Sequence, residues 1–226
     1  MQGWVHVFQP RGHQIYIWNG SKVFDTFIDF RPDVFINDDR RDDEILSAIE
    51  INKPIVYNQL FSRPHYRADT VRYYPVEGDF GVSYVGNYNS KKEYIDHFIL
   101  PLCISNFPIK IFGYGDWPVP NFLGFCSDET ERQIYSSGTI INFTNSVNER
   151  IFKVHACKGI ILSLRNSILQ EFYGNDDLLF STLDELKEKI EKFKNKEYRN
   201  KIAQDLYNKV VTQYTYYHFW SKEEWL

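Results

Sequence analysis

The order of elements predicts an α/β fold made of two Rossmann-like parallel-sheet domains facing a cleft, with the N-terminal domain reduced. Two observations lead there. Short apolar runs of strand length alternate with amphipathic stretches of helix length along the chain, the pattern of parallel strands covered by helices. In addition, Thr139 to Leu164, TIINFTNSVNERIFKVHACKGIILSL, reads as one complete βαβ unit. Its parts are a strand (139–143), a polar loop (144–148), a helix (149–158) stopped by Gly159, and an apolar strand (160–164). Parallel neighbours joined in this way need a right-handed crossover.

In chain order, 2–9 reads as a short helix ended by Pro10 and Gly12, and 13–18 as a strand. A helix over 22–30, with Ser21 at its N-cap, leads to a buried strand at 32–37 with Asp38 and Asp39 beyond its carboxyl end. A helix at 43–51 precedes a strand at 54–57, an irregular run, and a last short strand at 70–75. The Glu77-Gly78-Asp79 stretch is the expected linker, giving domains at 1–77 and 78–213. The second series runs strand 81–85, helix 91–105 disturbed at Pro101, strand 109–112, strand 123–126 and helix 128–136. Asp128 and Glu131 stand at capping-box spacing at the start of that last helix. After the βαβ unit come a strand at 178–180 and helices at 184–193 and 197–213. The aromatic tail, 214–226, is expected to pack back on the N-terminal domain because water is a poor place for it.

The chain has 226 residues, 43% of them hydrophobic and 25% charged, enough to bury a core. Its net charge of −4 argues against general nucleic-acid binding, which relies on a basic footprint. The three cysteines, Cys103, Cys126 and Cys157, lie in apolar contexts without a CxxC, which predicts reduced buried thiols and a cytoplasmic setting. No apolar run reaches the length of a membrane span, and the first residues do not read as a signal peptide. The six histidines show no HxxxH or HxH spacing, so no metal site is expected.

The helix of the βαβ unit opens just past the carboxyl end of a strand, where free backbone N–H groups and the helix dipole favour an anion. The loop before it supplies Asn142, Thr144 and Asn148, followed by Glu149 and Arg150, more polarity than packing requires. The site expected is a phosphate or nucleotide corner. Ligands of open α/β sheets bind at the carboxyl ends of the strands, so loops 37–41, 86–90, 113–117 and 144–150 should face the cleft.

From Val82 onward the chain resembles the two-Rossmann-domain (GT-B) glycosyltransferases of the group 1 and CgeB-like spore-maturation type. The resemblance is carried by Val82-Ser83-Tyr84-Val85-Gly86-Asn87 and Ile111-Phe112-Gly113-Tyr114-Gly115-Asp116-Trp117, then by Gly124-Phe125 and Ile141-Asn142-Phe143. It continues through Glu149-Arg150-Ile151-Phe152-Lys153-Val154-His155-Ala156-Cys157-Lys158-Gly159 and Leu183-Asp184-Glu185-Leu186. It implies sugar transfer from a nucleotide-diphosphate sugar of UDP or GDP type, with no further cofactor, to an acceptor that is a glycan, a protein or a small molecule. It also implies that Gly86 and Asn87 approach the diphosphate and that Phe125 borders the base; Gly113 and Tyr114, in a tight strand-end turn facing the cleft, are further donor-binding candidates. The family often has a ribose-binding glutamate where this chain has Lys153. An ammonium cannot accept hydroxyl hydrogen bonds, but it can contact phosphate as a point charge.

Sugar transfer needs charge stabilisation of the departing diphosphate more than an enzymic nucleophile. Arg150, permanently charged and bidentate, is the first candidate for that role; pairing with Glu149 or Glu171 is the alternative. Lys153 is a second candidate, and Lys91 and Lys92 follow the Gly86-Asn87 loop. Asn142 and Thr144 can bond the donor's sugar or phosphate, whereas Tyr135 reads as core. His65 is the candidate general base, against a plain surface-loop histidine. Trp117 either stacks on a base or covers the core. The expected activity is a retaining, metal-independent glycosyltransferase; the alternative is a non-catalytic binding or scaffold protein of the same fold, because a fold does not carry function by itself.

Overall fold

The apolar run Ile160–Leu164 and its partner Thr139–Asn142 form adjacent parallel strands, as the βαβ reading requires. The computed structural model describes residues 34–36, 55–57, 68, 70, 73–78 and 81–215. The chain divides into two compact units, Met1–His65 and Tyr66–Leu226. In the first, β1 (Val34–Ile36) pairs in parallel with β2 (Ile55–Tyr57), Val34 opposite Ile55. The other elements expected before residue 65 lie outside the described residues, as does the tail beyond Thr215.

The second unit holds a five-stranded parallel sheet of β3 (Val82–Asn87), β4 (Ile109–Tyr114), β5 (Thr139–Asn142), β6 (Ile160–Leu164) and β7 (Leu179–Phe180), in the order β4-β3-β5-β6-β7. Ile140, Ile141, Ile160, Ile161 and Leu162 have no exposed surface, which is why the middle strands read as continuous apolar runs. The chain steps from β3 to β4 in one direction and from β4 back across β3 to β5 in the other. With right-handed crossovers, the two connecting helices lie on opposite faces of the sheet. These are α1 (92–104) and α2 (Asp128–Ser137). Phe98 of α1 packs its ring on Phe143 and Phe180. On the other face α2 packs against α3 (Glu149–Ala156), and α3 against the long α6 (Lys196–Gln213). The remaining α-helices among the described residues are α4 (Ser167–Tyr173) and α5 (Leu183–Lys192).

Several local expectations change. Helix α1 widens to π geometry over Ile95–Ile99, immediately before Pro101, whose missing N–H leaves the ordinary ladder incomplete there. The 123–126 run is not a strand. Residues 121–124 line the outer edge of β4, with Ile111 N–H on Asn121 O (3.1 Å), Leu123 N–H on Ile111 O (2.8 Å) and Gly113 N–H on Gly124 O (2.9 Å). Gly124 then turns away at φ +88°, so the pairing ends. The strand expected at 70–75 is absent among its described residues. Tyr73 is buried against Tyr135, and Val76 N–H donates to Ser136 Oγ (2.9 Å). Ala68 N–H donates to Tyr214 O (2.8 Å), so this stretch joins the core of the second unit.

The end of α3 also differs in detail. The residue in left-handed geometry is Lys158 (φ 59°), not Gly159. Lys158 N–H bonds His155 O (3.1 Å) and Gly159 N–H bonds Val154 O (2.9 Å), a Schellman closure. Position 159 needs glycine for another reason: a Cβ there would lie 1.9 Å from the Tyr135 carbonyl oxygen of α2. Among the described residues no helix is long and apolar enough to cross a membrane.

Candidate functional site

Helix α3 starts where Asn148, in extended geometry, caps it by accepting from Ile151 N–H (3.3 Å). Its first turn faces α2 across a pocket of about 220 Å³ lined by Glu131, Tyr135, Asn148, Glu149, Arg150 and Lys153. Four of the sequence-predicted residues, Asn148, Glu149, Arg150 and Lys153, therefore meet in one place.

The two cations of the pocket are in different states. Lys153 Nζ lies 3.0 Å from Glu149 Oε1 and 3.5 Å from Glu131 Oε2, and 4.8 Å from the Tyr73 ring centroid. Burial alone would lower its pKa, but the carboxylates of Glu131 and Glu149 outweigh that and raise it. Lys153 thus stays charged and is already neutralised. Arg150 Nη1 donates to Asn142 Oδ1 (3.4 Å), and among the described residues no carboxylate stands within 4.0 Å of its guanidinium. The alternative of an ordinary pair with Glu149 or Glu171 is not realised, since Glu149 turns to Lys153.

Sequence reasoning missed Glu131. Its spacing suggested a capping box with Asp128, but Ser127 caps α2 by accepting from Thr130 N–H (3.3 Å). Glu131 instead accepts from the Tyr73 hydroxyl (2.9 Å) and the Tyr135 hydroxyl (3.1 Å). The available signal was the i, i+4 spacing to Tyr135, which puts both on one helix face. Tyr135 is a core residue, as expected, whose hydroxyl end reaches the pocket. Burial pushes that hydroxyl's pKa well up, with the Arg150 charge pulling the other way.

The remaining candidates do not line the pocket. Gly86 and Asn87 end β3 beside Gly113 and Tyr114 of β4. Asn87 Oδ1 accepts from the N–H groups of Asn89 (2.8 Å) and Ser90 (3.4 Å), a turn-closing role. Gly113, at φ +133°, is required because a Cβ would fall 1.9 Å from Gly86 O. Tyr114 and Phe125 are both largely exposed, with ring centroids 5.2 Å apart. Thr144 closes its own loop through Ser146. Asn142 is buried at 1% exposure beneath Arg150. Trp117 covers the core against Tyr84 and Tyr88, and Lys92 pairs with Asp96. His65 lies outside the described residues. Among the described residues no group of three or more His, Cys, Asp and Glu could hold a metal ion.

No curated protein matches the chain. Among solved structures, it is similar to the C-terminal domain of a glycosyl transferase group 1 family protein from Francisella tularensis, at 14% identity and TM-score 0.45 over 66% of this chain and 99% of that one. It is also similar to T4 phage BGT in complex with UDP and Mn2+, at 13% identity and TM-score 0.44 over 62% of this chain and 47% of that one. A third match is to the GtfA/B complex, at 14% identity and TM-score 0.47 over 91% of this chain and 48% of that one. The chain thus spans about half the length of the phage and GtfA/B chains. The model of the family described as glycosyl transferase-like matches residues 96–222, more than half of the sequence, and the chain belongs to that family.

Proposed function

We propose that the chain is a glycosyltransferase that binds a nucleotide-diphosphate sugar, of UDP or GDP type, with its diphosphate at the first turn of α3. The observation that carries this reading is Arg150: a guanidinium without a carboxylate partner among the described residues, lining a pocket at a helix N-terminus. Both its charge and the helix dipole act on an anion there. In the transfer, the bond between the anomeric carbon and the diphosphate oxygen breaks with its electron pair going to the diphosphate. The acceptor oxygen forms the new bond and gives up its proton. Arg150 stabilises the developing negative charge, which needs no metal. Lys153 keeps the two pocket carboxylates compensated, so that they do not repel the donor. The exposed Tyr114–Phe125 pair offers a stacking surface for the base near the ends of β3 and β4. In this reading the reaction is retaining, and the acceptor proton passes to the departing diphosphate oxygen or to His65, the candidate base of the sequence.

Titration calorimetry with UDP and GDP tests the donor assignment. Arg150→Ala is expected to lose at least about tenfold in affinity, the worth of a charged hydrogen bond, with the melting temperature held. Equal affinity in this variant removes Arg150 from the site. A non-catalytic nucleotide-binding protein is the second reading, favoured by Lys153 being tied to both Glu131 and Glu149. UDP binding without release of UDP from any UDP-sugar, with or without acceptors, would select it.

A further inference from the structure

Asn142 invites a direct role in ligand binding, but its side chain is almost fully buried and both ends of its amide are engaged. Oδ1 accepts from Arg150 Nη1 (3.4 Å), and Nδ2 donates to Ser163 Oγ (3.4 Å). Ser163 has no exposed surface and stands directly opposite Asn142 in the β5–β6 register. We propose that Asn142 and Ser163 are positioning residues: a buried, uncharged bracket that aims the Arg150 guanidinium into the pocket without cancelling its charge. This rests on the reading of the pocket as an anion site.

The chemistry of each member suits that task. An arginine side chain has many rotamers, and holding one before the ligand arrives removes an ordering penalty from binding. A carboxylate would hold it as well but would neutralise it, as Glu131 and Glu149 do for Lys153. A carboxamide oxygen accepts the hydrogen bond and leaves the positive charge uncompensated. The amide must also face the right way, since a flipped amide would present its NH2 group to the guanidinium. Arg150, which can only donate, sets Oδ1 toward itself, and the Ser163 hydroxyl anchors the other end of the amide by accepting from Nδ2. Because Asn142 ends β5 and Ser163 sits within β6, the sheet register itself sets the bracket.

The test is UDP titration of the full chain and its variants, with thermal unfolding followed in parallel. Asn142→Asp is expected to keep or raise the melting temperature while weakening UDP binding at least about tenfold, because the new carboxylate holds Arg150 and neutralises it. A stable Asp variant that binds UDP as tightly as the unmodified chain overturns the proposal. Ser163→Ala is expected to weaken binding about threefold, and to have no further effect in an Arg150→Ala background, because it acts through Arg150. A loss of the same size in both backgrounds, or none in either, also overturns it. With Arg150→Ala too weak for UDP, inorganic pyrophosphate at higher concentration serves as the probe. An unmodified chain that binds neither UDP nor pyrophosphate overturns the anion site itself, and the bracket with it. Normal binding with unaffected variants overturns the bracket alone.

Discussion

His155 sits fully buried on α3, with Nδ1 3.4 Å from the Gly159 carbonyl oxygen and its ring edge-on to Tyr173. Burial lowers its pKa from 6.5 to about 4, the Gly159 carbonyl opposes the shift, and the Lys209 ammonium adds to it. In the unfolded chain the imidazole takes up a proton near its ordinary value, so between these two points the unfolded state binds more protons. Stability is therefore full above about pH 6.5 and falls as the pH drops toward 4. The shift is worth roughly 3 kcal/mol. Denaturant titrations from pH 7 to pH 4 should show this loss, and His155→Phe should flatten the slope. At this scale the sequence placed Arg150 and Asn148 at the start of α3, where both line the pocket, because a loop-to-helix junction past a strand limits where those side chains go. It did not carry Glu131, because that carboxylate finds its partners, Tyr73 and Lys153, far away in the chain.

Element boundaries followed from hydrophobic pattern wherever a strand or helix face was buried. The βαβ unit is the clearest case, with β6 running over Ile160–Leu164 as read and α3 two residues shorter than expected. Where an expected strand did not form in this sheet, a backbone rule had overridden the pattern. The run expected as a strand at 123–126 holds Gly124 in left-handed geometry, so pairing stops there and only 121–124 borders β4. Helix α4 was not anticipated, although Asn166 and Gly174 mark both of its ends. It has too few residues for its periodicity to be distinct. The junction of α3 with α2 gives a prediction at this scale. Gly159→Ala forces a methyl group against the Tyr135 carbonyl and should destabilise the unit by about 1–3 kcal/mol, read from a chemical denaturation midpoint. Unchanged stability would mean that α2 and α3 can separate there without penalty.

For the whole molecule, what the sequence could not supply was strand order. A parallel sheet with helices was legible from alternation, but the order β4-β3-β5-β6-β7 depends on contacts between distant residues. That order matters because the crossovers leave β3 and β5 in opposite directions, the arrangement in which a crevice opens at the carboxyl ends. Asn87 ends β3 there and Asn142 ends β5. The described core runs from Ala68 to Val210 within the second unit, around its own sheet. Residues 66–226 produced alone are accordingly expected to unfold in one cooperative transition, with equal calorimetric and van't Hoff enthalpies. A broad, non-cooperative melt would show that the core is not self-sufficient.

The ion cluster around Lys153 has a consequence for how this pocket can change by mutation. Its ammonium answers two carboxylates, Glu149 one turn before it on α3 and Glu131 on α2. Lys153→Glu by itself would crowd three carboxylates together, with Arg150 as the remaining pocket cation. The same exchange made together with Glu131→Lys would keep the charge balance of the cluster, one cation against two carboxylates. Positions 131 and 153 are therefore epistatic: each fixes which residues the other accepts, and the pocket moves from one charge arrangement to the other through paired steps.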